Sequence, residues 1–266
     1  MMNNMKKVIT AIICTASILL CTLLCLAAYK KNTESYIEFS FVTNQYDEKV
    51  LSSAPQKLIS LKKIGAQSEI TVRGKDSFHN FSKTKFSKNK DDLDKYLQKT
   101  DFIDFDNEEV IQLSENLNLS ELEPIACAKT ILKSINQNTG FIKYDNALAA
   151  DISLGYTFGR SASETLKTSM GTCGEFANVF TALMRLNNIP CKYICGCCLD
   201  PSYSTLHAWA EFYDEKLGWI PVDPQAGILG VLPNYIKRLE GIDFPDTGSD
   251  FSKIKFGNVR IVEIKE

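Results

Sequence analysis

The segment Thr172-Cys173-Gly174-Glu175 constrains the fold more than any other, because it fixes where one helix begins and which side chain stands at its tip. Thr172 and Glu175 have capping-box spacing, and an apolar run follows at once. Cys173 is therefore the first residue of a helix. Phe176, Val179, Phe180, Leu183, Met184 and Leu186 recur at three- and four-residue steps, so one side of that helix turns toward a core. It stops at Asn187-Asn188, ahead of Pro190. A thiol in the first turn lies among unpaired backbone N–H groups at the positive end of the helix dipole. That position favours thiolate over thiol, the form a nucleophile needs.

Two strands supply partners for the thiol. From His207 to Tyr213 the residues His, Trp, Glu and Tyr alternate with Ala208, Ala210 and Phe212, which reads as a strand, and Leu217 to Asp223 reads as another. With Asp214-Glu215-Lys216 as the hairpin loop, Tyr213 stands opposite Leu217, Glu211 opposite Trp219, Trp209 opposite Pro221, and His207 opposite Asp223. Directly opposed residues have Cβ atoms roughly 4.5–5.5 Å apart. At that distance Asp223 would fix the His207 ring and stabilise its cationic form. Each residue alone has an ordinary structural explanation: a small buried hydrophobe for the Cys, a structural His at a strand start, a turn for Asp before Pro. The three in this order, on a capped helix and a hairpin, point to a catalytic triad of Cys173, His207 and Asp223.

The run Ala162-Ser163-Glu164-Thr165-Leu166 through Gly171-Thr172-Cys173-Gly174-Glu175-Phe176-Ala177, then Leu186-Asn187-Asn188-Ile189-Pro190-Cys191, then His207-Ala208-Trp209-Ala210-Glu211 and Gly218-Trp219-Ile220-Pro221-Val222-Asp223-Pro224, resembles the transglutaminase-like core domain. This is a branch of the papain-like fold that also includes peptide N-glycanases and microbial cysteine proteases. The resemblance covers Glu121 to Tyr235. It implies an α+β fold with helices packed on an antiparallel sheet, Cys173 as nucleophile, His207 as acid and base, and Asp223 as its orienting partner. It does not choose between reactions.

Outside that block the chain divides further. Lys6-Lys7 precede an uncharged run from Val8 to Ala28, apolar all round and long enough to cross a bilayer. Residues 1–31 are therefore expected to be a signal-anchor, giving a single-pass membrane protein with an extracytoplasmic body, although Lys30-Lys31 offset Lys6-Lys7 in setting orientation. Residues 32–105 read as a small β-rich segment, with edge strands at Tyr36–Val42 and Ser68–Gly74, followed by a polar linker in which His79 is an exposed loop residue. Residues 106–266 read as the transglutaminase-like domain. Its helices at Asp106–Leu117 and Glu121–Gln137 are expected to pack on the Cys173 helix. Gly140–Thr168 reads as a long connection of the kind that lines a substrate cleft, with Tyr144, Tyr156 and Phe158 as candidates for its wall and burial without a chemical role as the alternative for each. Asn234–Glu240 reads as a short helix, and Gly257-Asn258 as the turn of a terminal hairpin.

Composition limits the function. At 44% hydrophobic and 23% charged, 266 residues are enough for one substantial core and a smaller lobe. A net charge of -2 leaves no electrostatic footprint for nucleic acid. Of nine cysteines, Cys14, Cys21 and Cys25 fall in the anchor. Cys191, Cys195, Cys197 and Cys198 share one strand, which cannot surround a metal tetrahedrally without ligands from elsewhere, so they read as small core residues and no metal or cofactor is expected. An extracytoplasmic body would permit disulfides, whose pairing the sequence leaves open. The expected chemistry is attack of Cys173 on a carboxamide or peptide carbonyl, a thioester, and transfer to an amine or to water. The Cys173 N–H and a second donor would hold the oxyanion, with Tyr156 and Trp209 as candidates at the oxyanion site or cleft. The substrate is expected to be a protein or peptide, such as an envelope or surface protein. A cysteine protease or amidase of the same fold, a non-catalytic binding module, and a redox or metal protein built on the cysteine cluster are the alternatives.

Overall fold

The computed structural model describes residues 36–250 and 253–265. The expected signal-anchor, residues 1–31, lies outside them; among the described residues no helix is long and apolar enough to cross a membrane. In chain order the elements are β1 (Tyr36–Thr43), α1 (Glu48–Leu51), β2 (Lys57–Ile64), β3 (Gln67–Lys75), α2 (Glu108–Asn116), α3 (Pro124–Ile135), β4 (Lys143–Tyr144), α4 (Asn146–Ser153), α5 (Ala162–Thr168), β5 (Met170–Gly171), α6 (Cys173–Leu186), β6 (Cys191–Cys198), β7 (Thr205–Asp214), β8 (Gly218–Asp223), β9 (Ile228–Leu229), β10 (Tyr235–Gly241) and β11 (Phe256–Lys265). A central antiparallel sheet has the order β10-β6-β7-β8-β9, and a second antiparallel sheet has the order β11-β1-β3-β2.

Three layers result. Val110 of α2, Cys127, Ile131 and Ile135 of α3, and Phe176, Val179, Phe180 and Leu183 of α6 close over Ala210, Phe212, Ile220 and Val222 of the central sheet. Elsewhere Cys197, Leu199 and Ile236 meet Phe39, Phe41, Ile70 and Val72 of the second sheet. Gly74 of β3 lies against the segment leading into β10, where an added Cβ would lie 1.7 Å from the Pro233 carbonyl oxygen. Because the obstacle is backbone, we expect Gly74→Ala to cost about 1–3 kcal/mol through overpacking. A fall in the urea midpoint with an unchanged slope would report it, and an unaltered midpoint would refute it.

The helix at Cys173 is enclosed from Glu175 to Arg185 rather than buried on one side. Two of its long polar side chains donate to backbone carbonyls. Asn178 Nδ2 donates to Arg160 O, and the Arg185 guanidinium donates to the carbonyls of Cys191, Gln98 and Ile242. Such pairing is what allows an amphipathic-looking helix to become central.

Four other expectations are corrected. Asn234–Glu240 is not a helix: strand β10 covers the edge of β6, and pairing that edge outweighs the helix propensity of Lys237 to Glu240. Gly257-Asn258 is not a hairpin turn but a bulge inside β11, with Asn258 at φ +52°, where one extra residue enters the pairing with β1. The β1 and β3 strands are interior rather than edge strands, because β11 from the far end of the chain pairs with β1. The strands between residues 36 and 75 are thus tied to 256–265 in one sheet. The polar linker also does more than span solvent: Phe86 enters the main core, Tyr96 meets Trp219 edge to face, and His79, exposed as expected, has its ring nitrogen 2.7 Å from Asp76.

Candidate active site

Helix α6 begins as the spacing of Thr172 and Glu175 requires. Glu175 Oε2 accepts hydrogen bonds from the Thr172 N–H (2.7 Å) and hydroxyl (2.6 Å), while Oε1 accepts from the Arg160 N–H (3.0 Å). One buried carboxylate therefore pins the helix tip to the preceding loop. Cys173, partly exposed, opens into a cleft of about 630 Å³. Four other thiols of the body are of a different kind. Burial pushes Cys127, Cys191 and Cys197 up to about 12 and Cys195 up to about 11, which keeps them protonated.

The β7–β8 hairpin brings His207 to Asp223, but in a different register from the one expected. Asp214 stands opposite Gly218, Glu211 opposite Pro221 and Ala210 opposite Val222, two residues away from the expected pairing. The reason is local. Asp214 Oδ1 accepts from the N–H groups of Lys216 and Leu217, drawing Leu217 into the turn, and Gly218 leaves it at φ +95°. A shift of two keeps every side chain on its face, whereas a shift of one would have reversed them all. Continuing the register sets Trp209 across from Asp223 and makes His207 the diagonal neighbour. The imidazole spans the diagonal, with Nε2 2.8 Å from Asp223 Oδ2.

The rest of the carboxylate is also fixed. Asp223 Oδ1 accepts from the Ala226 N–H (3.0 Å), and Oδ2 accepts from the Tyr235 hydroxyl (2.9 Å). Cys173 and His207 line the same cleft, and the sulfur is near enough to favour the charged ring. Burial opposes the imidazolium, but the Asp223 charge, the bond to it and the Cys173 contact outweigh that cost and raise His207 to about 10. Burial acts against the Asp223 carboxylate too, yet the His207 charge and the three donors hold it below the usual carboxylate value. The pair is thus an ion pair across the neutral range, and the three side chains named from the sequence are together in the cleft.

Tyr235 was not recognised from the sequence. It lies in a stretch that reads as helix, and only the strand that sets β10 beside β6 aims its hydroxyl at Asp223. Removing that donor leaves the carboxylate more basic. We expect Tyr235→Phe to lower turnover about 2- to 10-fold, the value of one hydrogen bond, with KM unchanged and the acid limb of the pH profile moved upward. A KM effect alone would contradict this.

The two proposed oxyanion or cleft residues are displaced. Tyr156 is 72% exposed and does not line the cleft. Trp209 is buried behind His207 and Tyr235, with ring centroids at 6.1 and 5.7 Å, and supports them from outside the cleft. Tyr144 and Phe158 do line it. The connection that carries them is not a bare loop, since α4 and α5 lie within it. Asp145 caps α4 and Ser161 caps α5.

The site thus sets a cysteine at a helix tip in one cleft with an imidazole and a carboxylate from an antiparallel hairpin. Residues 112–224 match the model of the transglutaminase-like superfamily, and the centre of this chain is a transglutaminase-like core. No curated protein matches the chain. Among solved structures, a candidate cysteine protease from Cytophaga hutchinsonii is similar at 15% identity and a TM-score of 0.50, over 89% of this chain and 90% of that one. The periplasmic domain of TgpA from Pseudomonas aeruginosa is similar at 17% identity and a TM-score of 0.43, over 74% of this chain and 71% of that one. Red sea bream transglutaminase is similar at 13% identity and a TM-score of 0.36, over 73% of this chain and 47% of its own. The first of these likenesses is one of fold.

Proposed function

We propose that the chain is a cysteine-dependent enzyme acting on carboxamide or peptide carbonyls. The Cys173 sulfur attacks the carbonyl carbon, His207 gives its proton to the departing ammonia or amine as the C–N bond breaks, and a thioester remains. His207 then takes a proton from the acceptor, and the C–S bond breaks to release acid or new amide. The N–H groups at the tip of α6 face the developing oxyanion. The observation that carries this reading is a helix-tip Cys173 sharing one cleft with an imidazole whose Nε2 lies 2.8 Å from a buried carboxylate.

A second reading, hydrolysis by a cysteine protease or amidase, is favoured by the state of the two cleft carboxylates. Glu175 and Asp223 are both fully engaged within the protein, so neither is left to hold the ammonium of an amine acceptor. The discriminating experiment offers the protein a glutamine-containing protein with a fluorescent amine, and separately with water alone, and compares incorporation with release of ammonia or fragments. Cys173→Ala is expected to abolish every activity. If Cys173 reacts with limiting iodoacetamide no faster than the other thiols and the alanine variant stays active, the proposal is wrong.

The apolar run from Val8 to Ala28 supports a further proposal, that the body is tethered to a membrane on its extracytoplasmic side and meets envelope or surface proteins there. Protection of the body from protease in intact cells would contradict that orientation.

A further inference from the structure

We infer that the cleft selects an acyl donor in which the side chain flanking the reacting carbonyl is aromatic or aliphatic and uncharged, seated on Phe158 and Phe244; this rests on the enzymatic reading above. Phe158 is 68% exposed at the cleft rim. Its ring centroid lies 6.1 Å from that of Phe244, and Phe244 lies 6.3 Å from Tyr193. The hydroxyl of Tyr193 reaches the helix tip, 3.1 Å from where a Cβ on Gly174 would be. A row of aromatic rings therefore runs from solvent to the residue beside the nucleophile. A large aromatic side chain left in water at its outer end gains most by being covered by another apolar group.

The position of Phe158 is fixed with respect to Cys173. Gly159 follows it at φ +110°, and a Cβ there would lie 2.3 Å from Glu175 Oε1. The next N–H, of Arg160, bonds that same oxygen, and Asn178 of α6 holds the Arg160 carbonyl. Arg160 is held in turn by Asp145 at 2.8 Å. The carboxylate that fixes the start of the nucleophile's helix thus also fixes the root of the aromatic rim.

Charge selects in the same direction. Among the described residues no Lys or Arg lines the cleft, and its two carboxylates, Glu175 and Asp223, spend both oxygens on the protein. A charged flanking side chain would lose water and meet no counter-charge except His207, which is already paired with Asp223.

The test uses peptidyl chloromethyl ketones of one length that differ only in the residue next to the one bearing the electrophile: Phe, Leu, Gly, Asp or Lys. Rates of Cys173 labelling are read by intact mass. Phe and Leu probes are expected to react at least about tenfold faster than Asp and Lys probes, with the difference in the binding constant. Phe158→Ala is expected to erase most of that advantage. Phe158→Lys is expected to raise the rate of the Asp probe above its wild-type value, a gain that misfolding cannot produce. Equal rates for all five probes on the wild-type protein, or a Phe158→Lys variant with the wild-type order, would overturn the inference while leaving the enzymatic reading intact. Failure of iodoacetamide to label Cys173 ahead of the other thiols would instead remove the reading beneath it.

Discussion

Asp223→Asn is expected to lower turnover about 10³- to 10⁴-fold, because an amide in that place no longer stabilises the imidazolium or enforces its orientation. The pH dependence gives the cause a signature. His207 stands at about 10 against an ordinary 6.5, so the stability it contributes is fully present below 6.5 and is lost as pH rises through about 10. Asp223 is lowered from 3.8, so its contribution is present above 3.8 and is lost as pH falls through its lower folded value. The wild-type protein should therefore lose thermal stability between pH 6.5 and 10 through this pair. In Asp223→Asn only burial and the Cys173 contact still act on the ring, and the raised value falls toward or below the ordinary one. The alkaline loss of Tm between those limits should shrink accordingly. A variant with the wild-type profile of Tm against pH, or with near-normal turnover, would show that Asp223 does not govern His207.

Gly196→Ala should damage the site from behind. Gly196 is the residue on β6 directly opposite His207, and an added Cβ would lie 2.1 Å from Trp209 Cη2 and 2.5 Å from the Ile236 carbonyl oxygen. The indole is packed beneath His207 and Tyr235, and the carbonyl belongs to β10, so neither can move without shifting a catalytic neighbour. We expect a loss of about 1–3 kcal/mol of stability from overpacking. Turnover should fall more steeply than the folded fraction does, since a misplacement near 1 Å costs on the order of 10²-fold. Denaturant unfolding alongside kinetics separates the two effects. Unchanged turnover in a destabilised protein would mean that the Trp209 platform holds the sheet but not the site.

The parts of the site legible in the sequence were those governed by neighbours a few residues away. The cap at Thr172, the apolar steps along α6 and the alternation from His207 to Tyr213 all follow from local periodicity, and they placed Cys173, His207 and Asp223 on the correct elements. The hairpin register depended instead on one side chain, Asp214, drawing Leu217 into the turn. Parity protected the conclusion: a displacement of two residues left His207 and Asp223 on one face. Tyr235 was not assigned, and Phe158 was named only as a wall residue of the cleft, because what fixes each of them exists only after distant segments meet. Tyr235 acts through a strand pairing that overrides its local helix propensity, and Phe158 is aimed by Glu175, fifteen or more residues along the chain. The second sheet was least legible, since its β1–β11 pairing joins segments more than 200 residues apart and no local pattern announces it.

That pairing also sets how the body would respond to load. Tyr36 lies across from Lys265, so chain entering the first strand and chain leaving the last do so side by side. A pull applied between those two points would part the ladder rung by rung, like a zipper, rather than shear all its hydrogen bonds together. The outer sheet would yield first, while the helix and hairpin carrying the chemistry, threaded between, would feel none of the tension until it had opened.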